Sequence, residues 1–248
     1  MNRRDVIRIL VVLVAVFWLT IVVMPRRYAI VDDFNARYYD KAMASQEFMI
    51  RKELKSLSGN KLVPEESRLD SQEILAKNLW ASFKAPQAAS MLRDIETKRE
   101  KLNKNYNQKT IDTMLVLAAV YRDLNQLDDS AFWYRKVWHL DLANLPTDDG
   151  RLMRDETNFA VLDYLRGDIE KDEVNRQQCF KDALAHIEQA VEIWHKQKSP
   201  DTATLANLLY LRYLSYREIG NASASRQSFG EMKYLNRQLK RAYKLPWK

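Results

Sequence analysis

The chain has 248 residues, with only five Gly and six Pro, and a formal net charge of +7. So few turn-forming residues, set among many Leu, Ala, Lys, Glu, Gln and Arg, exclude a sheet protein of this size and point to an all-α fold. The charge sits at the two ends: five Arg against Asp5 in residues 1–30, and Lys233, Arg237, Lys240, Arg241, Lys244 and Lys248 without an acid from Met232 onward. The middle is mildly acidic, which argues against a nucleic-acid partner, since that function needs a basic stripe on the folded body. The single cysteine, Cys179, excludes an intrachain disulfide framework and a cysteine-rich metal site.

Residues 9–24, ILVVLVAVFWLTIVVM, are sixteen positions without a charge or helix breaker. If Arg8 snorkels, the apolar run starts at Val6 and nearly spans a bilayer core at about 1.5 Å per residue. A cleaved signal peptide would be followed by small residues in an A-x-A pattern, whereas Met24-Pro25-Arg26-Arg27-Tyr28 follows here. Arg3-Arg4-Asp5-Val6-Ile7 resembles a twin-arginine export signal, but such pairs are common before apolar segments. The expectation is a transmembrane anchor over 1–25 in a cell (inner or plasma) membrane. Arg3, Arg4 and Arg8 favour a cytoplasmic N-terminus and an extracytoplasmic body, with Arg26 and Arg27 competing from the other side.

From Arg26 to Leu57 there is no Gly or Pro, and Val31, Phe34, Tyr38, Ala42 and Met49 recur at near-helical spacing. This predicts an amphipathic juxtamembrane stalk over 26–60, ended by Ser58-Gly59-Asn60 and Pro64. The remainder, 66–248, is predicted as a helical repeat domain with a basic C-terminal cap.

Its signal is an internal period. Leu75-Ala76 recurs 42 residues later as Leu117-Ala118, and after another 42 as Phe159-Ala160. Ala88, Leu92 and Ile95 recur as Ser130, Tyr134 and Val137, and Ala183, Ile187, Ala190 and Ile193 recur as Ser225, Phe229, Met232 and Leu235. The third unit is 11 residues longer, which fits a polar insertion at Asp168–Gln178 between its two helices. Each unit is a helical hairpin with a small residue where two helices approach and large residues between successive hairpins. One hairpin cannot bury its apolar face alone, so about four must stack.

Leu117-Ala118-Ala119-Val120-Tyr121, then Asn125, Leu127, Ser130, Tyr134, Val137 and Leu140, resemble a tetratricopeptide (TPR) repeat. The 42-residue spacing and Ser199-Pro200-Asp201-Thr202-Ala203-Thr204-Leu205 resemble the kinesin-light-chain-type variant. The resemblance covers about residues 68–240 and implies a TPR-like α-solenoid. It departs from the family at Asp163, where the third repeat would have its Tyr. In the fourth repeat, Tyr213 and Tyr216 compete for that place, and the first repeat is the most degenerate. The resemblance also implies that Lys77, Trp80, Arg122, Asp123, Asn158, Asn207 and Arg217 line a partner groove. Asn158 stands where such repeats often bond a peptide backbone.

No catalytic or metal constellation is present. The five glycines are too far apart for a phosphate loop, and neither H-E-x-x-H nor G-x-S-x-G occurs. His186 and His195 lie on opposite faces of a helix. Asp148-Asp149-Gly150 reads as a turn, because Leu145 and Thr147 occupy positions a calcium loop would make acidic or amide. Asp128-Asp129 and Asp155-Glu156 read as solvated helix starts. Trp80, Trp133, Trp138 and Trp194 read as packing between repeats. Met114–Val120 is apolar all round, which predicts a helix covered by its neighbours or a groove filled by an apolar helix, including the stalk segment Val31–Met49. The tail Lys233–Lys248 reads as a cap or as a contact for anionic lipid.

These features imply a non-enzymatic, cofactor-free, membrane-anchored scaffold or adaptor that holds a protein partner. A fixed accessory subunit of a larger membrane complex, with the transmembrane helix in the interface, is the alternative.

Overall fold

The computed structural model describes residues 33–58, 63–102, 106–197 and 202–243. The expected anchor over 1–25 lies outside the described residues. Among the described residues, no helix is long and apolar enough to cross a membrane. The chain divides into two units, 1–45 and 46–248. The first contributes, among described residues, the opening part of helix α1 (Asp33–Ser58); the second is the folded body.

The body holds four antiparallel helical hairpins among the described residues. They are α2 (Glu65–Ala81) with α3 (Ala85–Leu102), α4 (Gln108–Asp123) with α5 (Leu127–Asn144), α6 (Gly150–Ile169) with α7 (Glu173–Lys196), and α8 (Thr202–Glu218) with α9 (Ala222–Tyr243). Successive hairpins pack on each other, so every helix from α3 to α8 is covered by the one before and the one after. Residues of the 42-residue period form the seams. Leu75, Ala76, Ala88, Leu92, Leu117, Ala118, Ser130, Tyr134, Ala160, Ala183 and Ile187 are all nearly inaccessible. Small residues bring the backbones together and the large ones fill the gaps between hairpins.

Three of the four hairpins turn in the same way. Phe83, Asn125 and Gly220 adopt left-handed φ values of 60°, 59° and 77°. The next amides, of Lys84, Gln126 and Asn221, donate back to the carbonyls of Leu79, Tyr121 and Tyr216, each at 2.9 Å. This is a Schellman ending, in which one left-handed residue stops a helix and satisfies its last carbonyls. It also settles the register of the fourth repeat. The Ser225 hydroxyl donates to the Tyr213 carbonyl (3.2 Å) as the Ser130 hydroxyl donates to that of Ala118 (2.8 Å). Tyr213 therefore matches Ala118, and Tyr216 matches Tyr121.

The third hairpin differs from the expected polar insertion between two helices. Most of Asp168–Gln178 is helical, so α6 has 20 residues and α7 has 24. Asp172 caps α7 by accepting from the Asn175 amide. The extension is held against the end of α8 by Arg176 on Glu218 (2.8 Å) and by Gln177 on the Glu218 carbonyl. Continuing two helices satisfies more backbone groups than an irregular loop of this length would.

Helix α1, which covers the described part of the expected stalk, ends at Ser58. Ile50 and Leu54 pack against the α2–α3 core, while Glu47 bonds Lys84 at the first turn. The C-terminal part of α1 thus runs beside the first hairpin. Of the segment Val31–Met49, one expected occupant of the groove, the side chains up to residue 43 lie outside the described residues, and Met49 at its end is 60% exposed.

Candidate partner-binding groove

Within each hairpin the first helix (α2, α4, α6, α8) keeps one face uncovered. On α2 that face carries Asp70, Ile74 and Lys77; on α4, Asp112, Leu115, Val116, Ala119 and Arg122. On α6 it carries Arg154, Asn158 and Val161; on α8, Asn207, Tyr210 and Arg217. The spacing of three and four keeps each set on one side of its helix. Met114, Leu117, Ala118 and Val120 face inward and are fully buried. Leu115, Val116 and Ala119 are half-buried, so the apolar helix has a covered back and a partly open front.

The charged groups on this face are largely engaged within the chain. Lys77 pairs with Glu73, Arg122 with Asp123 (3.2 Å), Arg154 with Asp141 (2.7 Å) and Arg217 with Glu218 (2.8 Å). Arg217 also lies over the Tyr213 ring, 5.8 Å from its centre. Trp80 and Asp123, both expected to line the groove, meet each other. The indole Nε1 of Trp80 donates to Asp123 Oδ2 at 3.0 Å, joining the first two repeats. Asn158 and Asn207 remain, half-buried and exposed, with side-chain amides bonded to no described residue. The face therefore offers an apolar centre of Ile74, Leu115, Ala119, Val161 and Tyr210, two free amides, and neutralised rims.

Three buried polar seams hold these helices in register. Arg99, 1% exposed at the end of α3, donates to Glu73 and Asp70 of α2 and to Thr113 and the Lys109 carbonyl of α4. Burial pushes the Glu73 carboxyl up, but its bond to Lys77 and the Arg99 charge outweigh this and hold it below the usual range.

The second seam contains Asp141 of α5, which accepts from Tyr106 (2.7 Å) and Arg154 (2.7 Å), and Asp155 of α6, which shares Arg154. Burial raises Asp155 to about 7, with Asp141 adding to the rise and Arg154 opposing it.

The third is His186 of α7, whose Nδ1 is 2.7 Å from Glu156 Oε2. Glu156 also accepts from Trp138 Nε1 at 3.1 Å, and Phe159 lies against the imidazole. The bond to Glu156 raises His186 against the opposing effect of burial. Asp163, standing where Tyr121 stands in the second repeat, is compensated by His186 (3.6 Å) and Arg166 (3.3 Å).

Asp128 and Asp129 are exposed in the first turn of α5, as read from the sequence. Asp155 and Glu156 are not solvated: they are 1% and 7% exposed, more than a turn into α6. Their partners on α5 and α7 explain the difference. Asp149 caps α6 by accepting from the Arg151 amide, the turn expected there. A cleft of about 480 Å³ lies away from the groove face, between α7, α8 and α9. Its cation, Arg212, is bonded to Ser228 and Glu231.

No family model matches the chain, and no curated protein matches it. Solved structures do. TPR-like repeats of a putative kinesin light chain from Podosopora anserina superpose with TM-score 0.65 at 14% identity, over 83% of this chain and 93% of that one. BtubC from P. vanneervenii gives 0.64 at 15% identity, over 96% and 84%. The Rap conjugation regulator of plasmid pLS20, in complex with the Phr* peptide, gives 0.58 at 12% identity, over 98% and 66%. With the shared turn, the 42-residue seams and these superpositions, the chain is a TPR-like helical repeat protein in its fold.

Proposed function

We propose that this chain is a non-enzymatic, membrane-anchored scaffold that holds a segment of another protein along the uncovered face of α2, α4, α6 and α8. The observation that carries this reading is the unpartnered pair Asn158 and Asn207 beside an apolar centre with neutralised rims. Primary amides supply a donor and an acceptor each, the pair of functions a peptide backbone needs. Ile74, Leu115, Val161 and Tyr210 supply contact area, and internal ion pairing disfavours a strongly charged partner. The peptide-bound Rap structure supports the reading by analogy of fold alone.

The anchor over 1–25, a membrane location with the body outside the cytoplasm, and lipid contact by the basic tail belong to the same proposal. They rest on the sequence; the tail side chains from Leu239 lie outside the described residues. Protease access in sealed vesicles tests the orientation.

The binding test is crosslinking and co-purification from native membranes with wild type and with N158A/N207A. The double variant is expected to lose at least tenfold of the recovered partner while its melting temperature is unchanged. Equal recovery would discard the groove. Gentle detergent extraction separates the scaffold from a fixed subunit, because only the latter keeps a stoichiometric complex.

A further inference from the structure

The three Schellman turns invite a comparison. At the left-handed position the second and fourth hairpins use Asn125 and Gly220, the residue types that tolerate positive φ. The first uses Phe83, whose β-carbon and ring make that conformation costly, and the ring is 93% exposed. A bulky apolar residue is thus held in a strained backbone and left in water, the kind of outlier that points to use.

Two more apolar side chains accompany it. Phe48 and Met49 on α1 are 67% and 60% exposed. The Glu47–Lys84 ion pair, at 2.8 Å, ties the residue before Phe48 to the residue after Phe83, so the two segments lie side by side.

We propose that Phe48, Met49 and Phe83 form a patch that dips into an anionic bilayer surface. The side chains have no polar handle, so they suit a surface that offers area rather than specific bonds. The charges around them leave one cation in excess, Arg51, Lys52 and Lys84 against Glu53 and Glu47, which Arg51 and Lys84 share, and that excess favours an anionic over a neutral lipid surface. The patch also lies next to the membrane in sequence. From Met24, the end of the apolar run, to Phe48 is 24 residues. The chain from Asp33 on is helix α1, rising about 1.5 Å per residue, so this tether reaches at most about 55 Å. Such a tether keeps the patch at high effective concentration beside the bilayer, so a shallow insertion suffices. This last argument rests on the proposed anchor.

The test uses the full chain in phosphatidylcholine–phosphatidylserine vesicles carrying brominated acyl chains, which quench nearby tryptophans. Trp18 lies within the apolar run, so the difference between wild type and W18F reports the anchor. F83W adds an aromatic reporter at the turn without altering a core residue. Most of the added emission is expected to be quenched, and K52E/K84E is expected to restore it several-fold. Quenching at Trp18 with a red, unquenched indole in F83W would overturn the patch while leaving the anchor intact. An added indole that turns blue but stays unquenched in these vesicles would also overturn it, by showing that protein and not lipid covers the site. If Trp18 is unquenched, the anchor falls, and the F83W signal still decides the patch.

Discussion

Asp141 and Asp155, on successive helices, share one guanidinium nitrogen, Nη2 of Arg154, at 2.7 and 3.0 Å. Both carboxylates are almost inaccessible, while the Arg154 side chain that reaches them from the uncovered face is 31% exposed, so two buried negative charges share one partly solvated positive charge. The lowest-cost arrangement keeps a proton on Asp155, and its raised titration to about 7 expresses this. The ordinary value is 3.8, so between that pH and 7 the folded chain holds a proton that the unfolded chain has released. The contribution is therefore complete in acid and is lost as pH rises through 7, by on the order of a few kcal/mol. Asp155→Asn mimics the protonated form. It is expected to flatten that part of the urea-unfolding profile and to be more stable than wild type above pH 7.

His186 acts with the same sign over a higher window. Its raised value means that the imidazolium–Glu156 pair contributes fully below 6.5 and is lost as pH rises through the folded value. His186→Gln should remove this dependence, and the Trp138 indole, bonded to the same Glu156, should report the change in its fluorescence titration. A His186 resonance, assigned by its loss in His186→Gln, that titrates at or below 6.5 in the folded protein would rule out the pairing.

Phe83 is a test of backbone strain. Its ring gains little from burial, so Phe83→Gly is expected to raise stability by about 1 kcal/mol, as a gain in the urea midpoint. Gly220→Ala, at the equivalent turn, should lower stability by a similar amount, about 1 kcal/mol, although nothing lies within 4 Å of the added methyl. If Phe83 serves a lipid surface, the stabilised Phe83→Gly variant should lose that contact, a trade of stability for function.

Gly167 is a test of packing alone. A β-carbon there would come within 2.8 Å of the Phe180 ring, which is 1% exposed and fixed between α6 and α7. Gly167→Ala should cost about 1–3 kcal/mol by overpacking, despite alanine's better helix propensity. Calorimetric melting would show it; an unchanged or higher melting temperature would mean that the ring moves aside.

The register of the repeats was legible because it depends on local pattern. Leu75-Ala76 and Leu117-Ala118 are buried as their spacing predicts, and the shared small and large positions recur on the seams. The longer third repeat was also legible as a length, but not as structure. Whether Asp168–Gln178 forms a loop or longer helices depends on Arg176 and Gln177 reaching Glu218, 42 and 41 residues away. Asp155 and Glu156 show the same limit. A charged pair near a helix start reads as solvated until Asp141 and His186 are placed beside it.

The sequence by itself determined an all-α chain of stacked hairpins, a candidate membrane segment and the faces from which a groove would be built. Periodicity and turn chemistry are properties of neighbouring residues, and they survive without knowledge of the fold. The tertiary structure decided which charges are spent, which amides stay free and which turn holds a strained aromatic. Those outcomes depend on side chains tens of residues apart meeting in low dielectric, where a partner within hydrogen-bonding distance changes a buried carboxylate from a cost into a constraint.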